Sequence, residues 1–206
     1  AGLVSWAVDE ATLDFAPEPP PEVMLKVSAF RESVRNWTER TLERATAVVA
    51  GPGLDGAGES YEHLYDLLEL CEVPMCLDAE ALNLMAERPE LWKLIDSPVV
   101  ITPHPKEMAR LTASTVVAVQ ADRIGVASTF ALDRNCVVVL KGAHTVVASP
   151  DGFSVVIGAG NPGMATGGSG DVLAGVIGAF LAAGLEPERA ACGGALLHAV
   201  AGDAAA

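Results

Sequence analysis

The chain has 206 residues, half of them hydrophobic, with 13 Lys and Arg against 27 Asp and Glu and a net charge of −14. That length suits one sizeable core, since single domains usually run to about 100–200 residues. The acidic balance repels polyanions, which argues against nucleic acid and membrane partners, while a small phosphorylated ligand held by backbone N–H groups stays open.

Both ends lie in apolar, element-like sequence, AGLVSWAVDE at the start and LLHAVAGDAAA at the finish, and the first residue is not Met. Domains tend to end in polar, loose tails, so the expectation is a single domain over residues 1–206 that is truncated at both ends. The start has no basic stretch of a secretory signal, and no apolar run reaches the about 20 residues needed to span a bilayer. PEPPPE (17–22) is the one low-complexity piece and reads as a stiff, extended surface connector.

Short β-branched runs then recur, each followed by a turn and a helix-like segment. ATAVVA (45–50) leads into GPGLDG, VPMCLDAEAL (73–82) reads as a buried strand entering a helix, and SPVVITPHP (97–105) precedes KEMARLTA. NCVVVLKG (135–142) is followed by HTVVASPDGFSVVIG, two strands about the Pro150-Asp151-Gly152 turn. Apolar strands alternating with helices predict an α/β fold with a doubly wound, mostly parallel central sheet and helices on both faces. Ligands in such sheets collect where strands end, which singles out the loops 51–56, 102–107, 141–145 and 160–171.

The stretch GNPGMATGGSGDVLAGVIGAFLAAG (160–184) has glycines at 160, 163, 167, 168 and 170 ahead of a helix read as starting at Asp171. Glycines let backbone amides close round an anion, and the helix adds its positive end, so the loop reads as a phosphate cradle. It matches neither the dinucleotide fingerprint nor the Lys-bearing P-loop. Asp171 reads in two ways: as a helix-capping carboxylate, or as a general base taking the proton of a hydroxyl that attacks the phosphate. Lys141, Gly142, Ala143, His144 and Thr145 follow the VVVL strand, where a lysine can reach nucleotide phosphates; the other reading is an ordinary strand-to-strand turn. Gly53 belongs either to a plain glycine turn or to a pocket wall.

His104, between Pro103 and Pro105, is either a solvent-exposed turn residue or a positioned ligand contact, and spacing alone favours the turn, with Glu107 capping the next helix and Lys106 solvated. His63 and His198 read as packing or surface residues, and Trp6, Trp37 and Trp92 are too dispersed for a stacking platform. Cysteines 71, 76, 136 and 192 show no metal or redox spacing, which fits a reduced, cytoplasmic setting.

Taken in order, GPGLDG, ITPHPKEMARL, VVVLKGAHTVV and GNPGMATGGSGDVLAGVIGAFLAAG resemble the ADP/ATP-dependent NAD(P)H-hydrate dehydratases of the ribokinase-like superfamily. The resemblance spans nearly the whole chain. It implies a metabolite-repair hydro-lyase that dehydrates the S epimer of hydrated NADH or NADPH while ADP becomes AMP and phosphate. It further implies ADP or ATP as co-substrate, Mg²⁺, an NAD(P)H-hydrate epimerase that supplies the S form, and a homo-oligomer, a tetramer in this reading. Carried over residue by residue, Asp171 is the base and a hydrate contact, Gly170 sits at the nucleotide phosphates, and Lys141, Gly142, Ala143, His144 and Thr145 hold the AMP portion. His104 becomes a contact to the hydrated dinucleotide, in place of the turn reading, and Gly53 a wall of its pocket.

The chain departs from the family pattern at Asp55, where GPGLG is usual, and at Lys106, where PHPGE is usual. A glycine- and alanine-rich substrate loop is expected ahead of Ala1, and no acidic pair identifies Mg²⁺ ligands. Two rivals share the same loops: a ribokinase-like kinase of a vitamin precursor or sugar hydroxyl, and a non-catalytic nucleotide-binding module.

Overall fold

The computed structural model describes residues 2–9, 13, 18–28, 33–55 and 58–206. Strands β1 (Val4–Asp9) and β2 (Val23–Ser28) form a parallel pair. There follow α1 (Val34–Leu42), β3 (Val48–Ala50), α2 (Gly58–Leu70), β4 (Met75–Leu77), α3 (Ala79–Glu87), β5 (Val99–Ile101), α4 (Pro105–Leu111), α5 (Val116–Ala121) and α6 (Arg123–Arg134). The chain closes with β6 (Val137–Leu140), β7 (Val146–Ala148), β8 (Ser154–Val156), α7 (Ser169–Ala182) and α8 (Pro187–Ala204).

The main sheet runs β3-β4-β5-β6-β7-β8; β3 to β6 are parallel, and β7 and β8 are antiparallel, formed by the hairpin read at Pro150-Asp151-Gly152. Successive strand residues point to opposite faces, and here both faces are covered. Met75, Leu77, Val99, Ile101, Val138 and Leu140 pack toward α2, α3, α4 and α6. Cys76, Val100, Val137 and Val139 face the other way, onto Leu173, Ile177 and Leu181 of α7 and the alanines of α8. Burial on both faces is why these strands read as unbroken apolar runs, each fully buried Leu or Ile contributing about 1.5–3 kcal/mol.

Small residues set how closely the α7/α8 layer approaches. A Cβ on Gly194 would lie 2.6 Å from Ile177, and one on Gly178 would overlap Val49. Because Ala50, Leu77 and Ile101 are in register and Leu140 ends the adjoining strand, the loops after β3, β4, β5 and β6 emerge at one edge.

Three sequence expectations change. α7 begins at Ser169, capped by Gly168 with φ 84°, so Asp171 is the third helical residue and not the first. Gly168 has the left-handed backbone that lets the chain turn into the helix two residues early. The proline connector is largely exposed but ends in a turn, with Val23 N–H donating to Pro20 O at 2.9 Å. β2 was not read as a strand; it holds to α1 through Lys26 Nζ, which donates to Thr41 O at 3.1 Å. Ala1, Glu10, Pro17 and Gly56, which belong to stretches read above, lie outside the described residues.

Candidate functional site

β4 delivers Asp78 to the carboxyl edge of the sheet, at the N-cap position of α3, yet its side chain makes no capping bond. The residue is 1% exposed. One oxygen, Oδ1, accepts from Lys141 Nζ at 2.6 Å, and the other, Oδ2, is buried without a hydrogen-bond partner. Lys141 is the first residue after β6, and its ammonium also stands 3.9 Å from Glu107 Oε2. Its backbone N–H donates to Pro103 O at 2.8 Å, which ties the 102–107 and 141–145 loops together. On the far side Gly51, with φ 119°, rests on the Asp78 carbonyl, where a Cβ would overlap the oxygen.

His104 and Glu107 form a capping box at the start of α4. His104 Nδ1 accepts from Lys106 N (3.0 Å) and Glu107 N (3.1 Å), and Glu107 Oε2 accepts from His104 N at 2.7 Å. With Nδ1 an acceptor, the neutral ring keeps its proton on Nε2, 3.4 Å from Glu107 Oε1. Burial pushes the Glu107 carboxyl up, opposed by the His104 N–H bond and the Lys141 charge. Burial pushes His104 down, and Lys141 adds to that shift. The cap accounts for His104 as a turn residue and leaves Nε2 free of backbone partners. Lys106 is exposed, as expected for the position where the family pattern has glycine.

The N-terminus of α7 meets this cluster. A Cβ on Gly170 would lie 3.1 Å from Lys141 Nζ and 3.6 Å from Asp78 Oδ2, so the bare backbone is what admits them. The lysine ammonium and the helix N-terminus bring positive potential to one point, part of which the Asp78 carboxylate takes up, and a helix N-terminus of this kind suits an anion. Asp171 is exposed in the same first turn. The loop leading in is held by the last turn of α8. Asp203 accepts from Gly160 N (2.8 Å) and Asn161 Nδ2 (3.1 Å), bonds that lower its pKa, and Asn161 Nδ2 also reaches Gly202 O at 2.9 Å. His198 Nε2 lies 3.3 Å from Ser169 Oγ, so this histidine braces the helix start as well as packing.

The 141–145 loop turns sharply: Gly142 has φ 140°, His144 φ 58°, and Thr145 Oγ1 donates to Gly142 O at 3.2 Å. Gly142, Ala143 and His144 are exposed at the edge. Gly53, with φ 83°, is exposed and borders open space. Asp55 serves its own loop by accepting from Ser60 Oγ at 2.6 Å. His63 packs edge-on against Trp37, 5.0 Å between ring centres.

Thus Lys141, Gly170, His104 and the glycine loop after β3 are brought to one edge, and Asp78, which the sequence reading passed over, stands between them. The signal was present in LDAEAL: a carboxylate directly after an apolar strand, too deep to be a surface cap. Among the described residues no group of three or more His, Cys, Asp or Glu is arranged to hold a metal ion, and no helix is long and apolar enough to cross a membrane.

The sequence profile of NAD(P)H-hydrate dehydratases matches residues 1–206. The chain belongs to the NAD(P)H-hydrate dehydratase family. Within that family it is 40% identical over 212 residues to the bifunctional NAD(P)H-hydrate repair enzyme Nnr of Moorella thermoacetica, a match covering 100% of this chain and 40% of that protein. It is 40% identical over 189 residues to the ADP-dependent (S)-NAD(P)H-hydrate dehydratase of Neisseria meningitidis, covering 89% of this chain and 60% of the relative. The chain therefore spans 40% of the first relative's length and 60% of the second's. The solved ADP/ATP-dependent NAD(P)H-hydrate dehydratase of Bacillus subtilis, co-crystallised with ATP and Mg²⁺ and soaked with CoA, is similar with a TM-score of 0.78 at 30% identity, over 97% of this chain and 70% of that one. The family fold is ribokinase-like, as the resemblance implied.

Proposed function

We propose that the chain carries out nucleotide-dependent dehydration of the S epimer of hydrated NADH or NADPH, a hydro-lyase reaction of metabolite repair in the cytoplasm. The observation that carries this reading is the meeting of Lys141 Nζ with the bare backbone of Gly170 at the start of α7, within a chain of this family. A phosphoryl group seated there would meet the helix amides and the ammonium that Asp78 holds in place.

The ring hydroxyl of the hydrate attacks the terminal phosphoryl of ADP, and Asp171, at the exposed first turn, takes the hydroxyl proton. AMP leaves. The phosphate ester is a far better leaving group than hydroxide, so its C–O bond breaks as the neighbouring carbon loses a proton, restoring the double bond. The balance is hydrate plus ADP giving NAD(P)H, AMP and phosphate, with the elements of water ending in the phosphate.

His104 offers Nε2–H to the hydrated dinucleotide, and Gly53 lines that pocket. Lys141, Gly142, Ala143, His144 and Thr145 hold the AMP portion, with Gly170 at its phosphates. A Mg²⁺ carried in with the nucleotide is implied by the family resemblance; the carboxylates that stand here, Asp78 and Glu107, both face the Lys141 ammonium and, among the described residues, form no ligand set of their own. When bound, Mg²⁺ would neutralise phosphate charge. The link to an epimerase that renews the S form rests on the family resemblance, and relatives named as bifunctional repair enzymes are in keeping with it; a homo-oligomer, a tetramer in this reading, rests on the resemblance alone.

The test is to incubate the protein with hydrated NADH, Mg²⁺ and either ADP or ATP and follow the return of reduced-nicotinamide absorbance. Recovery that requires nucleotide supports the lyase. A stable phosphate ester formed from another alcohol, with no recovery, replaces it with a small-molecule kinase.

A further inference from the structure

Arg123 opens α6 and reaches the backbone at the end of β6. Its Nη2 donates to Leu140 O at 2.9 Å and Lys141 O at 3.3 Å, and Nη1 donates to Gln120 Oε1 at 2.8 Å. The guanidinium fills the space that a side chain at position 142 would take: a Cβ on Gly142 would lie 3.1 Å from Nη1, 3.2 Å from Nη2 and 3.5 Å from Cζ. Its Nε is buried without a partner. Among the described residues no carboxylate lies within ion-pair distance of it.

These facts form one arrangement. A cation in a chain of net charge −14 normally finds an acid, because a desolvated and unpaired charge is costly. Arg123 instead shares one nitrogen, Nη2, between two consecutive carbonyls at the end of β6 and places Nη1 on Gln120, and burial lowers its pKa with no acid to offset the shift. A planar guanidinium held at Nη1 by Gln120 and at Nη2 by two consecutive carbonyls fixes backbone direction in a way that the point charge of a lysine does not. The backbone it fixes is that of Leu140 and Lys141, immediately before the turn whose shape depends on Gly142 at φ 140° and His144 at φ 58°.

We propose that Arg123 is a positioning residue for the nucleotide, shaping the 141–145 turn from behind Gly142 and lending that turn a positive charge that no carboxylate among the described residues cancels. The inference rests on the function proposed above and deepens it: the ligand it selects for is an anionic nucleotide. It acts on nucleotide affinity, not on the hydrated dinucleotide and not on Asp171. The glycine at position 142 is then required twice, for its backbone angle and for room for the guanidinium.

Calorimetric titration of wild type, Arg123→Ala and Arg123→Lys with ADP, and separately with hydrated NADH, tests this. Arg123→Ala is expected to weaken ADP binding about tenfold or more, the scale of lost charge-assisted bonds. The hydrate affinity stays the same, and millimolar guanidinium restores part of the ADP affinity. Arg123→Lys, which keeps the charge and loses the fork, falls between the two and serves as the readout should the alanine variant not fold. Equal loss for both ligands, no rescue by guanidinium, or full affinity in both variants overturns the role. Wild-type protein that binds no ADP instead removes the function proposed above, and this role with it.

Discussion

Asp78 and Lys141, 63 residues apart in the chain, meet at 2.6 Å with the carboxylate 1% exposed and the lysine at one rim of the helix α7 N-terminus. Removing one partner of a buried pair leaves the other charge uncompensated, at a cost of about 3–5 kcal/mol, whereas neutralising both can cost little. Lys141→Met is therefore expected to be less stable in urea unfolding than the double variant Lys141→Met/Asp78→Asn. Both lose nucleotide affinity, because the ammonium is gone in each. A double variant as unstable as the single would show that the pair carries no buried charge.

Asp171 is exposed and outside the packed core. Asp171→Asn should hold stability to within about 0.5 kcal/mol of wild type, bind ADP normally, and lose turnover by about 10²–10⁴-fold, the usual contribution of a positioned base. Parallel measurement of thermal unfolding, ADP titration and absorbance recovery separates these effects. Turnover that survives the substitution removes Asp171 as the base.

Gly51 and Gly53 lie two residues apart and differ in what surrounds them. Both have positive φ, but a side chain at 51 would overlap the Asp78 carbonyl while one at 53 would meet open space. Backbone strain of this kind costs about 1–3 kcal/mol, and at 51 the steric overlap adds to it. Gly51→Ala should thus depress the melting temperature more than Gly53→Ala and, by displacing Asp78, weaken nucleotide binding as well. Equal melting temperatures would contradict the packing described.

His104 is held neutral by burial and by Lys141. Its folded pKa lies below the unfolded value near 6.5, so the stability it contributes is complete above about pH 6.5. That stability is lost as pH falls through the folded value. His104→Asn retains an acceptor for the helix cap and removes the titration. Across a melting series from pH 7.5 to about 5, wild type should lose stability relative to this variant as the pH drops. Parallel curves would mean that His104 does not titrate between the folded and unfolded states.

Most of the fold was legible because its signals are local. MCL, VVI and VVVL are buried on both faces, VVA is an apolar run on the sheet edge, and each is bounded by turn residues that end it. β2 escaped because VMLKVS is mostly exposed or half-buried, with no clean alternation, and holds its place by pairing with β1 and docking on α1. The early start of α7 escaped for a related reason: Ser169 and Gly170 are poor helix formers read alone, and are drawn into the helix by the left-handed turn at Gly168.

By itself the sequence determined the strand runs, the glycine loops, and the residue types that a phosphate site needs, since each depends on neighbours a few positions away. Tertiary structure decided that Asp78 is buried against Lys141, that Glu107 joins them, and that Arg123 stands behind Gly142. Those relations arise because parallel strands in register bring their carboxyl ends to one edge, so residues tens of positions apart come within ångströms. Partnership at that edge depends on register and burial, which hydrophobic spacing along a single chain does not encode.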